Sequence, residues 1–182
     1  MIPSTDWYPS LTAASLHSCR PDDQARFWLQ VEGSLTRALQ LQCAFRFHVD
    51  VLREGYARPS REEALTLGVP FRQVVWVREV RLCGDGQPWV LARTVIPRQT
   101  LAGKARRLRH LGTRPLGAFL FSQPEWQRGD FQIGLCEVRS PGREPAVARR
   151  SRFHCGEHAL LVGEYFLPAL LQRSTAKQER AR

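Results

Sequence analysis

The dipeptide Asp85-Gly86 lies between two runs of alternating apolar and polar residues, 73–83 and 88–97. Aspartate and glycine tolerate the positive backbone angles that a two-residue turn between twisted strands demands, so the pair predicts a tight antiparallel hairpin. Gly156-Glu157-His158 joins two further strand-like runs, 147–155 and 159–167, in the same way. Residues 44–54 and 130–138 share the alternation or the enrichment in β-branched and aromatic side chains, which brings the predicted strands to six. Between 22 and 43 the period becomes helical, with Phe27, Trp28, Val31, Leu35, Leu39 and Leu41 recurring at three- and four-residue spacing, Asp22 or Asp23 as N-cap and Gly33 as a candidate break. Shorter helical stretches are predicted within 58–70 and over 103–110 and 115–121, the last two flanking Gly112-Thr113-Arg114. Residues 1–22, with three prolines and no sustained period, read as an irregular arm. The expected fold is α+β, one domain over 1–172 with helices covering an antiparallel sheet, followed by a basic, disordered tail at 173–182.

A chain of 182 residues can build one full core, and its 43% hydrophobic and 24% charged residues suit a globular protein. No apolar run reaches the length of a membrane span, and the N-terminal residues do not have the pattern of a secretory leader, so a cytoplasmic location without membrane insertion is expected. Cys19, Cys43, Cys83, Cys136 and Cys155 form no C-x-x-C pair and no ligand spacing with histidine, which points away from zinc and towards reduced thiols. His154 and Cys155, adjacent in a strand, face opposite sides and make a poor dyad. The net charge of +10 raises nucleic-acid binding as a possibility. The basic residues gather at 104–114, 139–152 and the tail without interleaved aromatics for base stacking, so the expectation is no nucleic-acid partner and a positive field that attracts a small dianion.

Glu164 stands alone in the apolar run Leu160-Leu161-Val162-Gly163-Glu164-Tyr165-Phe166-Leu167. A carboxyl group there must be paired, hydrogen-bonded or kept neutral, which fits either a site or an internal ion pair. Alternation places Arg78 on the more apolar side of its strand, with Trp76, Val80 and Leu82. With Asp85 and Gly86 as the central turn residues, Arg78 falls opposite Arg93, beside Trp89, Leu91 and Val95. Like charges directly opposed call for an anion between them, and guanidinium groups bind a carboxylate in a fork. The alternatives are that both arginines pair with protein acids such as Glu164, or that the register differs by one residue and separates them. Arg53, on the side of Phe45, Phe47, Val49 and Val51, is a third candidate.

Four segments here resemble the chorismate pyruvate-lyase (4-hydroxybenzoate synthetase) family. They are Val77-Arg78-Glu79-Val80 running into Leu82-Cys83-Gly84-Asp85-Gly86-Gln87-Pro88-Trp89; Arg93-Thr94-Val95-Ile96-Pro97; Leu111-Gly112-Thr113-Arg114-Pro115-Leu116-Gly117 with Leu120-Phe121; and Arg149-Arg150-Ser151-Arg152 leading to Glu164-Tyr165-Phe166-Leu167-Pro168. Arg53-Glu54-Gly55 is a weaker echo. The resemblance implies a six-stranded antiparallel sheet with helices covering one face and forming flaps over an enclosed site. It implies a lyase that converts chorismate to 4-hydroxybenzoate and pyruvate, the first committed step of ubiquinone biosynthesis, as a monomer with no cofactor or metal.

Carried over residue by residue, the resemblance makes Arg78 the anchor for the ring carboxylate, helped by main-chain groups of Leu116 and Leu35. It puts Glu164 beside the ring hydroxyl and makes Arg93 a second active-site arginine, so that Glu164 and Arg93 are the catalytic candidates. Leu35 stands where the family has methionine. The rival readings are a non-catalytic effector-sensing domain of the same fold, for which the residues ahead of Asp22 are too few to hold a winged helix, and a basic nucleic-acid-binding module.

Overall fold

The computed structural model describes residues 2–17, 21–103 and 105–173. Its order is β1 (Thr5–Tyr8), α1 (Leu11–Ser15), α2 (Asp23–Gln30), α3 (Leu35–Gln42), β2 (Phe47–Ala57), α4 (Arg61–Leu67), β3 (Val75–Gly84), β4 (Gln87–Pro97), α5 (Arg98–Ala102), a 3-10 turn (Arg106–His110), α6 (Leu116–Phe121), β5 (Gln127–Cys136), β6 (Val147–Cys155), β7 (His158–Phe166) and α7 (Pro168–Leu171). The strands form one antiparallel sheet in the order β1-β5-β6-β7-β4-β3-β2. It has seven strands where six were expected. The seventh is β1, four residues between Pro3 and Pro9 at the sheet edge, too short to display a period and in the position where a sheet tolerates proline. The expected loose tail beyond Arg173 lies outside the described residues, as does Cys19. Arg173, expected as its first residue, is docked: it donates to Asp85 Oδ2 at 3.2 Å and to the Gln42 carbonyl at 3.3 Å, over the Trp89 ring.

The α2–α3 stretch divides at Gly33, and Asp22 and Ser34 cap the two halves through side-chain acceptance from Ala25 and Arg37 amides. Helix α4 begins with a complete capping box, Ser60 with Glu63, and ends at Gly68 in the left-handed conformation. Two core clusters share the helix-covered face. Trp28, Leu29, Leu35 and Leu39 pack on Val80, Leu82, Val90 and Phe166, while Leu101, Leu108, Leu111 and Leu120 pack on Ile96, Phe153 and Leu160. Helices were expected on one face alone, but α4 covers part of the other, where its Leu67 meets Val75, Val77, Val95 and Leu161. Each such side chain removed from water contributes about 1.5–3 kcal/mol. No helix among the described residues is long and apolar enough to cross a membrane.

The hairpin follows its turn signal and then departs from it. Asp85 and Gly86 adopt φ of 52° and 81°, and Gly84 pairs with Gln87 and Cys83 with Pro88. Beyond them the register slips, and Leu82 pairs with Val90. Trp89 is the extra residue, fully buried in the same cluster as its neighbour Val90. Its indole lies across Gly84, where a Cβ would come within 2.2 Å of the ring.

Asp85 also ties the hairpin to the end of α3 by accepting backbone hydrogen bonds from Ala44, Phe45 and Arg46. These bonds, Ala44's first, hold its carboxyl below the usual range. A carboxyl whose folded pKa is lowered stabilises the fold above its unfolded pKa, and that contribution is lost as pH falls through the folded value. Asp85→Asn, which tolerates the same backbone angles, is expected to lose about 1 kcal/mol at pH 7 in urea denaturation, with the gap from the parent closing below about pH 4.

Candidate active site

Between the first two core clusters lies a cavity of about 50 Å³. Arg78, Val80 and Leu82 of β3, Ala92 and Thr94 of β4, Glu164 and Val162 of β7, Ser151 and Phe153 of β6, and Arg128 and Phe131 of β5 form its floor and end wall; Leu35 of α3 and Leu116, Leu120 and Phe121 of α6 form its roof. Arg78, Leu35, Leu116 and Glu164, singled out from the sequence, thus line one cavity.

Arg78 is 3% exposed, and a buried guanidinium must be compensated. Its Nε donates to Glu54 Oε1 at 2.6 Å and its Nη2 to the carbonyls of Gly112 and Arg114 at 2.7 and 3.2 Å. No hydrogen bond among the described residues uses Nη1. Leu35 and Leu116 are the first residues of their helices, where backbone N–H groups have no intrahelical acceptor. The two helix starts converge: a Cβ on Gly117 would lie 3.1 Å from Ser34 Oγ. One guanidinium edge and two helix starts therefore provide donors for an anion, and the apolar walls suit a ring.

Glu164 combines both readings of its position, since it lines the cavity and is also ion-paired. Arg149 Nε donates to Glu164 Oε2 at 2.7 Å, while Arg149 Nη1 donates to the Val31 carbonyl at 2.5 Å and its plane lies over Phe131. Glu164 Oε1 has no hydrogen bond among the described residues.

Arg93 is elsewhere, which corrects its expected place opposite Arg78. The extra residue at Trp89 moves Arg78 opposite Thr94 and Arg93 opposite Glu79, on the other side of the sheet. There Arg93 is clamped by Glu63 at 2.6 Å and by Glu79. Arg53 is corrected for the same reason. The register shifts between Val51 and Arg53, which turns Arg53 away from the cavity and brings Glu54 opposite Arg78. Both displaced arginines line an open cleft of about 980 Å³ on that opposite face, with Glu62, Glu63, Glu79 and Arg150. Although larger, the cleft has its Arg93 and Arg150 paired with Glu63, Glu79 and Glu62, leaving Arg53 without an ion pair among the described residues, whereas the smaller cavity gathers Arg78, Leu35, Leu116 and Glu164 together. We therefore assign the candidate site to the smaller cavity.

Glu54, Arg149 and Arg128 were not singled out from the sequence, although Glu54 and Arg149 sit in the segments that carry the resemblance. Their facing depends on bulges and on partners distant in the chain. His48, Asp50 and Cys83 also come together across β2 and β3, their potential ligand atoms within 4.8 Å of one another, a grouping invisible to linear spacing. Arg81 and His48 approach Asp50 at 3.4 and 3.5 Å, and burial, with Asp50 alongside, pushes the Cys83 thiol up to about 11, while His48 Nδ1 and Arg81 Nε are buried without a hydrogen-bond partner.

Residues 10–176 match the family model described as chorismate lyase. A probable chorismate pyruvate-lyase of Marinobacter nauticus is 62% identical over 171 residues, covering 94% of this chain and 90% of that protein. The chorismate pyruvate-lyase of Erwinia tasmaniensis is 35% identical over 98% of this chain and 95% of its own length. Among solved structures, the effector domain of PhnF from Mycobacterium smegmatis has a TM-score of 0.53 at 18% identity, covering 75% of this chain and 90% of that one, a likeness of fold alone. With the family model and these relatives spanning nearly its whole length, the chain belongs to the chorismate lyase family.

Proposed function

We propose that this chain converts chorismate to 4-hydroxybenzoate and pyruvate in the smaller cavity, the first committed step of ubiquinone biosynthesis. The convergence of Arg78, the starts of α3 and α6, and Glu164 on one apolar-walled cavity carries this reading in a chain of the family. Arg78 Nη1 and the amides of Leu116 and Leu35 take the ring carboxylate. Glu164 Oε2 is committed to Arg149, and Oε1 accepts the hydrogen bond of the ring hydroxyl.

The ether bond between ring and enolpyruvyl group breaks as the ring hydrogen on the hydroxyl-bearing carbon passes to the enolpyruvyl methylene. That transfer completes the methyl group of pyruvate and leaves an aromatic ring. Atoms balance within the substrate, so no cofactor is drawn on, and aromatisation provides the driving force. The protein holds a dianion in the reactive conformation and stabilises charge on the departing ether oxygen. A cavity of about 50 Å³ is smaller than the ~150 Å³ that holds a benzene ring, so α3 and α6 act as flaps that part on binding. All the residues of this scheme come from one chain, and the proposed unit is a monomer.

The test is incubation with chorismate alone, measuring pyruvate and 4-hydroxybenzoate together. Equal amounts of both are expected, with Arg78→Ala weakening product binding about 100-fold by loss of a charged hydrogen-bond donor. Folded protein that binds 4-hydroxybenzoate without turnover would favour the effector-binding reading. Glu164→Gln is expected to lower kcat about 10- to 100-fold while the pH profile keeps its shape; loss of one limb would instead assign proton transfer to Glu164. Arg93→Met is expected to cost about 3–5 kcal/mol in urea denaturation, because Glu63 and Glu79 lose their cation, yet to leave product affinity within about threefold. Loss of binding equal to that of Arg78→Ala would return Arg93 to the site.

A further inference from the structure

We propose that Arg128 is the second carboxylate anchor of this site, holding the enolpyruvyl carboxylate and so distinguishing substrate from product. The assignment rests on the lyase reading. Chorismate carries one carboxylate on its ring and another on the enolpyruvyl group, whereas 4-hydroxybenzoate carries the ring carboxylate alone. Arg78 accounts for one of the two. The other arginine expected to contribute, Arg93, lies behind the sheet and is already paired with carboxylates.

Arg128 is in the cavity wall because β5 is irregular there. Arg128 pairs with Phe153 and Phe131 with Ser151, with a register shift between them. In a regular strand, residues three apart face opposite sides. Here both line the cavity, as do their partners Phe153 and Ser151, so the irregularity at Gly129-Asp130 turns Arg128 inward. Its guanidinium lies 4.3 Å from the centre of the Phe131 ring and 5.6 Å from that of Phe121, and Nη1 donates to the Gly33 carbonyl at 2.8 Å. The stacking and that bond fix the plane and leave Nε and Nη2 without a hydrogen bond among the described residues.

Arg128 has no ion pair among the described residues, although Arg78, Arg93 and Arg149 each have a carboxylate partner. Burial first, then the nearby Arg149, lowers its pKa, although a guanidinium remains protonated at neutral pH. Glu164 and Glu32 attract it; Glu164 is already bonded to Arg149, and neither forms an ion pair with Arg128 among the described residues. A partly desolvated cation beside another cation, with donors free and an aromatic backing, is suited to receive an anionic ligand.

The experiment compares the parent with Arg128→Gln and Arg128→Lys in two measurements, steady-state kinetics on chorismate and equilibrium binding of 4-hydroxybenzoate. Arg128→Gln is expected to reduce kcat/KM about 10- to 100-fold, mainly through KM, while 4-hydroxybenzoate affinity stays within about threefold and so reports an intact pocket. Arg128→Lys is expected to recover part of the loss. An unchanged KM for chorismate in Arg128→Gln would overturn the assignment, as would a parallel loss of product affinity, which marks a wall residue. If the parent binds chorismate without turning it over, the lyase reading fails, and dissociation constants for chorismate and 4-hydroxybenzoate in the same variants still decide the role of Arg128.

Discussion

Trp89 adds one residue to β4 that β3 does not match, and the faces of the central sheet depend on it. Successive side chains of a strand point to opposite sides, so one extra residue exchanges the facing of everything beyond it relative to the partner strand. Ala92 and Thr94 consequently face the cavity, while Arg93 reaches the opposite side and meets Glu63 and Glu79. Glu63 also completes the capping box of α4, so one carboxylate both starts that helix and fastens it to the sheet. The indole fits because Gly84 has no side chain. Similar shifts in β2 and β5 turn Glu54 towards Arg78 and Arg128 towards the cavity. Three local irregularities thus sort the charges of a largely apolar sheet.

Burying guanidinium groups is costly, and the protein offsets the cost without neutralising the site. Arg78 and Arg149 each receive one carboxylate and additional main-chain carbonyls, which fix their orientation. Part of each pairing stays open: no hydrogen bond among the described residues uses Arg78 Nη1 or the Oε1 of Glu164, whose Oε2 is held by Arg149. Donors held in this way need little rearrangement when substrate arrives, which is where electrostatic catalysis gains most. The net charge of +10 adds a longer-range attraction for a dianion.

The likeness to the PhnF effector domain shows that this sheet-and-helix frame is not specific to one chemistry. Chemistry on such a frame depends on which groups project into the cavity, and here these include Arg78, Arg128, Glu164 and the first residues of α3 and α6.

Much of the architecture was legible in the sequence. The Asp85-Gly86 turn and the alternating runs specified an antiparallel sheet, the helical period specified α2 and α3, and Glu164 within an apolar run marked a position that required explanation. These signals are local, carried by backbone preferences and the period-two pattern. Short β1 escaped because four residues at a sheet edge carry almost no pattern. Tertiary structure alone decided which side of the sheet each charge occupies. A bulge is set by packing in the folded core, as Trp89, buried in one cluster with Leu39 and Phe166, shows, so strict alternation placed Arg93 and Arg53 on the wrong face. For the same reason the partners of Glu164 and Arg78, and the inward turn of Arg128, became visible once the strands were paired.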